Sequence, residues 1–212
     1  MFRICALSAL GFVLTACATL PANTLAVNEV ASYKLESVAV SVAPDAHIWW
    51  GDAEREFAAK HGEKTIAELR ATKNGAESVA ASENDAIINS PQAKKYLRDE
   101  ASRRLQPVLQ AYVGAELRGN QPVRLEVVIH ELTIPSAVQR VVLGGHPGIV
   151  ATATLVDASS GKVIVTYPKL FAMAGAGQGV AGMLAEQFAT DDLYDRVIMT
   201  YATKYREWLL KA

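Results

Sequence analysis

Between Pro122 and Ala172 the chain carries four runs rich in β-branched residues, and they constrain the fold more than any other stretch. They are Pro122–His130, Val138–Leu143, Ile149–Asp157 and Lys162–Tyr167, each separated from the next by turn residues. Such runs in sequence order predict antiparallel strands. In the first run Val123, Leu125, Val127 and Ile129 share one face of an extended chain, while Arg124, Glu126 and His130 share the other. One face is buried and one is wet. Glu131 then takes an apolar slot, which predicts a bulge or a strand end there. The run 149–156 is apolar or Thr throughout, so the spacing predicts a central strand covered on both faces. Asp157-Ala-Ser-Ser-Gly161 is a tight-turn composition, with Gly where a positive φ is needed. Pro168 interrupts the last run and suits an edge.

The flanking segments supply the other elements. Leu35–Val42 alternates and predicts a first strand. Residues 43–89 are poor in large apolar side chains and predict an irregular helical excursion, with helices over 52–61 and 63–73. Ser90-Pro91 opens a helix over 91–118 with a capping residue followed by proline. Leu97, Ala101, Leu105, Val108, Leu109, Tyr112 and Val113 give it one apolar stripe, and Pro107 predicts a kink. A last helix over 191–210 presents Leu193, Tyr194, Val197, Ile198, Tyr201, Tyr205, Trp208 and Leu209 on one broad face. The expected class is α+β: a single domain over 33–212, with an antiparallel four- to five-stranded sheet and two long helices packed on one face.

The first residues read as an address. Arg3 precedes an apolar run, Ile4–Leu14, that is too short to span a bilayer and has the length of a signal-peptide core. Leu14-Thr15-Ala16-Cys17 follows and resembles the lipobox of bacterial lipoproteins, in which the cysteine becomes lipidated and N-terminal. Residues 1–16 are then a signal peptide and 17–32 a lipidated tether. Ala18 stands where such lipoproteins often carry the Asp that retains them in the inner membrane, so the resemblance implies the periplasmic face of the outer membrane. Cys5 and Cys17 are the two cysteines of the chain. Loss of one and acylation of the other leaves no thiol for disulfides, metal or nucleophilic chemistry. Removing residues 1–16 takes away Arg3 alone, so 21 Lys and Arg become 20, against 22 Asp and Glu. A near-neutral body gives no case for nucleic acid as a partner.

No constellation of reacting groups stands out. Gly177-Gln-Gly-Val-Ala-Gly182 matches a dinucleotide fingerprint in letters, but no second strand follows it, and a connector between strand and helix is the better reading. No nucleotide, cofactor or metal is expected. His130-Glu131 has Ile134 where a zincin's second His would stand. His47, His61, His130 and His146 are scattered.

His47-Ile-Trp-Trp-Gly-Asp52, the segment Arg140–Ile149 with its Gly-Gly-His-Pro-Gly turn, and Asp157 with Gly161-Lys-Val163 together resemble an uncharacterised family of alphaproteobacterial, Rhodobacter-type outer-membrane lipoproteins. The resemblance spans most of 35–172 and implies a fold and an address but no chemistry. The expected function is a non-enzymatic accessory or binding module for an envelope protein partner. The alternatives are a lipid- or small-ligand-binding carrier and an envelope hydrolase using His130, Glu131 and His146. Trp49 and Trp50 form the first candidate partner surface, and Gly144, Gly145 and His146 the second. Adjacent residues of an extended segment point to opposite sides, so one Trp is expected inward and the other outward.

Overall fold

The computed structural model describes residues 21–61, 87–136, 139–140, 146–175 and 192–211. In chain order these residues form helix α1 (Val27–Ser32), strand β1 (Tyr33–Trp50), helix α2 (Gly51–His61), helix α3 (Pro91–Gly114), strands β2 (Gln121–Ile134), β3 (Gly148–Asp157) and β4 (Val163–Met173), and helix α4 (Leu193–Leu210). The strands make one open sheet in the order β1-β2-β3-β4. The α+β class holds, with four strands. Pairing differs from expectation at one place. β2–β3 and β3–β4 are antiparallel, whereas β1 runs parallel to β2. The cause is α3. Its 24 residues carry the chain about 36 Å back to the end where β1 began, and a helical crossover is what joins parallel neighbours.

Ser90 caps α3 by accepting a hydrogen bond from the Ala93 N–H at 3.1 Å, and Pro91 opens the first turn. Ala93, Leu97, Ala101, Leu105, Leu109 and Val113 form its buried stripe, and Pro107 lies inside the uninterrupted helix. Asp192 caps α4, accepting from the Tyr194 N–H at 3.2 Å. α3 packs chiefly on β1 and α4 on β4, and both touch each other. Val123, Leu125, Val127, Ile129, Ile149, Ala151, Ala153 and Leu155 meet them from the sheet, all essentially without solvent exposure. Tyr194, Tyr201 and Tyr205 fill the space between the layers.

Several local expectations are met or corrected. β2 shifts register between Ile129 and Glu131, where the misplaced Glu predicted a bulge, and then continues to Ile134. Gly161 has φ +70°, and the Asp157 carboxylate accepts from the N–H groups of Ser159 and Ser160 at 3.1 and 2.7 Å. β4 is an edge strand, but Pro168 does not end it. Lys169, at φ 48°, absorbs a register shift and its N–H donates to the Thr152 hydroxyl at 3.2 Å. β1 was expected to end at Val42. It runs on to Trp50 after a shift between Val42 and His47, and the Arg98 guanidinium donates to the Ala43 carbonyl inside that shift. The expected strand over 138–143 does not form where it is described, since Gln139 and Arg140 are helical. The expected helix over 63–73 and the glycine-rich 177–182 lie outside the described residues. β3 is central, but both its faces are not covered: the helices lie on one side, and Val150, Thr152 and Thr154 are half-exposed on the other.

The segment assigned to a tether is partly held. The Trp208 indole N–H donates to the Pro21 carbonyl at 2.8 Å, and the Asn23 amide donates to the carbonyls of Trp208 and Leu209 at 2.8 and 2.9 Å. Leu25 and Val30 are buried. The body therefore has two ends. At one lie Pro21, α1, the start of β2, the 157–161 turn and the end of α4. At the other lie Trp50, α2, Gly148, Met173 and the start of α4. β2 alone, at 14 residues, spans about 46 Å between them.

Candidate functional site

The sheet face away from the helices is built by alternation. At the Trp50 end, register places Trp49 beside Thr133, Thr133 beside Gly148, and Gly148 beside Met173. The next row of the same face is His47, Glu131, Val150 and Phe171. The residues between these rows, Ile48, Leu132, Ile149 and Ala172, point into the core. Two rows of four side-chain positions thus share one face that no described helix covers, about 14 Å wide at strand spacing. The β2 bulge matters here. It adds one residue, so His130 and Glu131 both fall on the outer side.

The face is polar toward β1 and apolar toward β4. His47 and Glu131 are exposed, and Trp49 and Thr133 half-buried. Phe171 is 52% exposed and Met173 44%, high values for large apolar groups at the end of a rigid sheet. Gly148 separates them for a steric reason. A Cβ there would meet a Phe171 ring carbon and the Ala172 carbonyl oxygen, each at 3.1 Å. The aromatic ring therefore packs against the Gly148 backbone, and a side chain there would have to push the ring or the strand aside.

Beneath this face the same strand end is anchored. Trp50 is 3% exposed and stacks on Tyr194, with ring centroids 4.3 Å apart. The Arg104 guanidinium lies 5.4 Å from the Trp50 ring and 4.7 Å from that of Tyr194, and it pairs with Asp192 and Asp195 at 2.9 and 2.6 Å. The Glu54 carboxylate accepts from the Trp50 N–H at 3.1 Å. Burial pushes that carboxyl above its ordinary range, while the Trp50 N–H and the His47 charge pull the other way. Gln139 lies over Gly51, where a Cβ would come 2.1 Å from its side-chain oxygen and displace it. The Gln139 oxygen itself accepts from the Ser136 N–H at 2.8 Å. Arg140, whose guanidinium burial pulls downward in pKa, donates to the Pro135 carbonyl at 2.7 Å.

The sequence candidates are thus placed as follows. Trp50 is inward and Trp49 lies on the outer face, with β2 between it and β3, the strand that follows the second candidate segment. His146 is exposed, while Gly144 and Gly145 lie outside the described residues, as does Cys17. Sequence reasoning missed Phe171 and Met173. Their signal was Phe-Ala-Met after Pro168, an alternation with the large groups on the outer face.

Of the hydrolase candidates, His130 and Glu131 sit at the β2 bulge and His146 is exposed just before β3. The His130 ring is hydrogen-bonded to the Thr152 hydroxyl at 2.9 Å. Glu131 is an exposed residue of the bulge, and among the described residues no group of three or more His, Cys, Asp or Glu is arranged to hold a metal. A carrier would need a long apolar cavity between helices and sheet, where Leu105, Leu109, Tyr201 and Tyr205 sit without exposure. An open groove of about 730 Å³ runs between Val40–Val42 of β1 and α3, walled by Lys94, Lys95, Arg98 and Arg103. No described helix is long and apolar enough to cross a membrane.

No protein-family model matches the chain, and no curated protein does. Solved structures give distant likenesses. A candidate lipoprotein from Caulobacter crescentus CB15 is 16% identical over 52% of this chain and 81% of its own, with a TM-score of 0.32. A DUF330 protein from Xanthomonas campestris is 12% identical over 86% of each chain, with a TM-score of 0.39. A PelC variant from Paraburkholderia phytofirmans, solved as a dodecamer, is 17% identical over 86% of this chain and 91% of its own, with a TM-score of 0.29. None of the three lends this chain an activity.

Proposed function

We propose that this chain is a lipid-anchored envelope lipoprotein, held at Cys17 on the periplasmic face of the outer membrane, that binds an envelope protein partner and performs no chemistry of its own. The address rests on the lipobox-like Leu14–Cys17 and the short apolar run before it. The binding role is carried by one observation: Phe171 and Met173 stand exposed on the sheet face that no described helix covers, Met173 in the row of Trp49, Thr133 and Gly148 and Phe171 in that of His47, Glu131 and Val150. Aromatic and Met side chains on a rigid, half-polar surface are what protein interfaces concentrate. The face also lies at the end of the sheet away from Pro21, where a partner has room.

Two measurements test this. Cys17→Ser should move the protein out of the membrane fraction; unchanged fractionation would refute the anchor. A photo-crosslinking amino acid at position 171 should capture a discrete envelope protein in living cells, and the same group at exposed position 159, at the opposite end, should not. The adduct should disappear with Trp49→Ala. Equal adducts at both positions, or none at 171, would refute the binding face.

A further inference from the structure

We infer that the α1–α4 end of the domain rests directly on the bilayer, with the apolar cleft there as its lipid-facing surface. This rests on the Cys17 anchor proposed above and adds what that anchor does to the folded body. Only Ala18, Thr19 and Leu20 separate Cys17 from Pro21. Four residue steps span at most about 14 Å even when fully extended. Pro21 is not free to drift from the domain. Its carbonyl is held by the Trp208 indole at 2.8 Å, and two residues on the Asn23 amide closes on the last carbonyls of α4. The leash therefore ends on the folded body, and it is shorter than the domain by a factor of about three, taking β2's span as the measure.

The surface at the leash's end has the character such a position demands. Leu25, Val27, Val30, Ala31, Leu209 and Leu210 line a cleft of about 140 Å³ together with Lys211 and Glu116, the latter paired with Arg206 at 2.6 Å. Val27 is 69% exposed, the most exposed of the large apolar residues among those described. Trp208, half-buried on α4, turns its ring to Tyr167 and Tyr205 in the body and its N–H to Pro21. Aliphatic side chains beside a lysine, with the one acid of the lining neutralised by an arginine, can settle at the boundary of headgroups and acyl chains. At about 140 Å³ the cleft is too small to take a whole acyl chain inside, so it suits a bilayer surface better. With this end down, the sheet stands with Trp49, Phe171 and Met173 turned away from the membrane.

The mature lipoprotein has no other reactive thiol, so single cysteines can be labelled cleanly. The acylated protein is placed in phosphatidylethanolamine–phosphatidylglycerol vesicles carrying bromine on the acyl chains. A fluorophore on Val27→Cys should lose most of its emission relative to unbrominated vesicles. The same fluorophore on Asp45→Cys, an exposed position farther along β1, should keep it. Inserting twenty Gly and Ser residues between Leu20 and Pro21 adds a coil of about 25 Å and should restore the Val27 signal while the protein stays in the vesicles. An unquenched Val27 label on vesicle-bound protein would overturn the docking surface and leave the anchor standing. Failure of the unlabelled protein to float with vesicles would instead refute the anchor. Quenching that survives the insertion would overturn the short leash as its cause, and self-association of the label without lipid would assign the cleft to a second copy.

Discussion

Replacing Trp50 with Ala should be among the costliest single changes in this domain, and replacing its neighbour Trp49 among the cheaper ones. Trp50 is 3% exposed, and its indole lies on the Tyr194 ring at 4.3 Å with the planes 15° apart. Truncating a buried Trp or Phe costs about 3–5 kcal/mol. Of that, roughly 0.5–1.5 kcal/mol belongs to the aromatic stack itself. The rest is lost transfer energy and the cavity left between β1, α3 and α4. Arg104 raises the stakes, because its guanidinium covers both rings while pairing with Asp192 and Asp195 at the start of α4. Losing the indole leaves that cation over a void. Trp49, half-buried on the outer face, should cost about 1 kcal/mol, half the value of full burial. For a domain of this size each kcal/mol shifts Tm by about 2–4 °C, so Trp50→Ala should melt roughly 6–20 °C lower. Urea unfolding of residues 18–212, followed by far-UV circular dichroism so that lost Trp emission does not intrude, reads both variants. A double-mutant cycle with Tyr194→Leu isolates the stack. The reasoning fails if Trp50→Ala costs under about 1 kcal/mol, or if Trp49→Ala costs as much as Trp50→Ala.

The three core tyrosines make two further predictions. The Tyr194 hydroxyl donates to the Ala101 carbonyl at 2.6 Å, whereas the Tyr205 hydroxyl is buried with no hydrogen-bond partner among the described residues. Tyr194→Phe should therefore cost about 1 kcal/mol and Tyr205→Phe nothing, or raise stability slightly; urea midpoints in the reverse order would refute this. Burial also raises the pKa of Tyr194, Tyr201 and Tyr205, with Arg104 opposing it at Tyr194. An unfolded chain releases these protons near pH 10 while the folded one keeps them. The stability they contribute is thus complete below about pH 10 and lost above it, at up to about 4 kcal/mol per pH unit for three groups together. A urea midpoint that stays level from pH 9 to pH 11 would contradict the sign.

What the sequence made legible was whatever depends on neighbours in the chain. The alternation in 122–130, 149–157 and 162–167, the turn at Asp157–Gly161, the Ser90 cap and the two helical stripes all appear where periodicity placed them. Even the bulge showed, because Glu131 occupies a slot that burial forbids. What it hid depends on cancellation between distant strands. Pro44 and Asp45 break the alternation of β1, and nothing local says that β2 tolerates four residues, 43–46, opposite the single His130. Register alone shows it, between Val42–His47 and Ile129–Glu131. The direction of β1 was open to inference, since a strand, a long helix and a second strand form the arrangement that joins parallel neighbours. The outer patch was the hardest to see. Trp49, Thr133, Gly148 and Met173 are spread over 125 positions of sequence (49 to 173, counted inclusively), and none is unusual where it stands.

The parallel β1 is also what makes the proposed two-ended arrangement possible. An antiparallel first strand beside β2 would enter at the Ile134 end, and the anchor would then sit beside the exposed Phe171 and Met173. Because α3 returns the chain before β2 begins, Tyr33 pairs with Gln121 and Trp50 with Ile134. Entry from the membrane and the apolar face are thereby held a strand's length apart. That separation is rigid: β1 is fixed along its length to β2, and α3 lies across it. A partner reaching Trp49 and Phe171 would meet a surface whose height above the membrane is set by the sheet, with the leash before Pro21 too short to change it much.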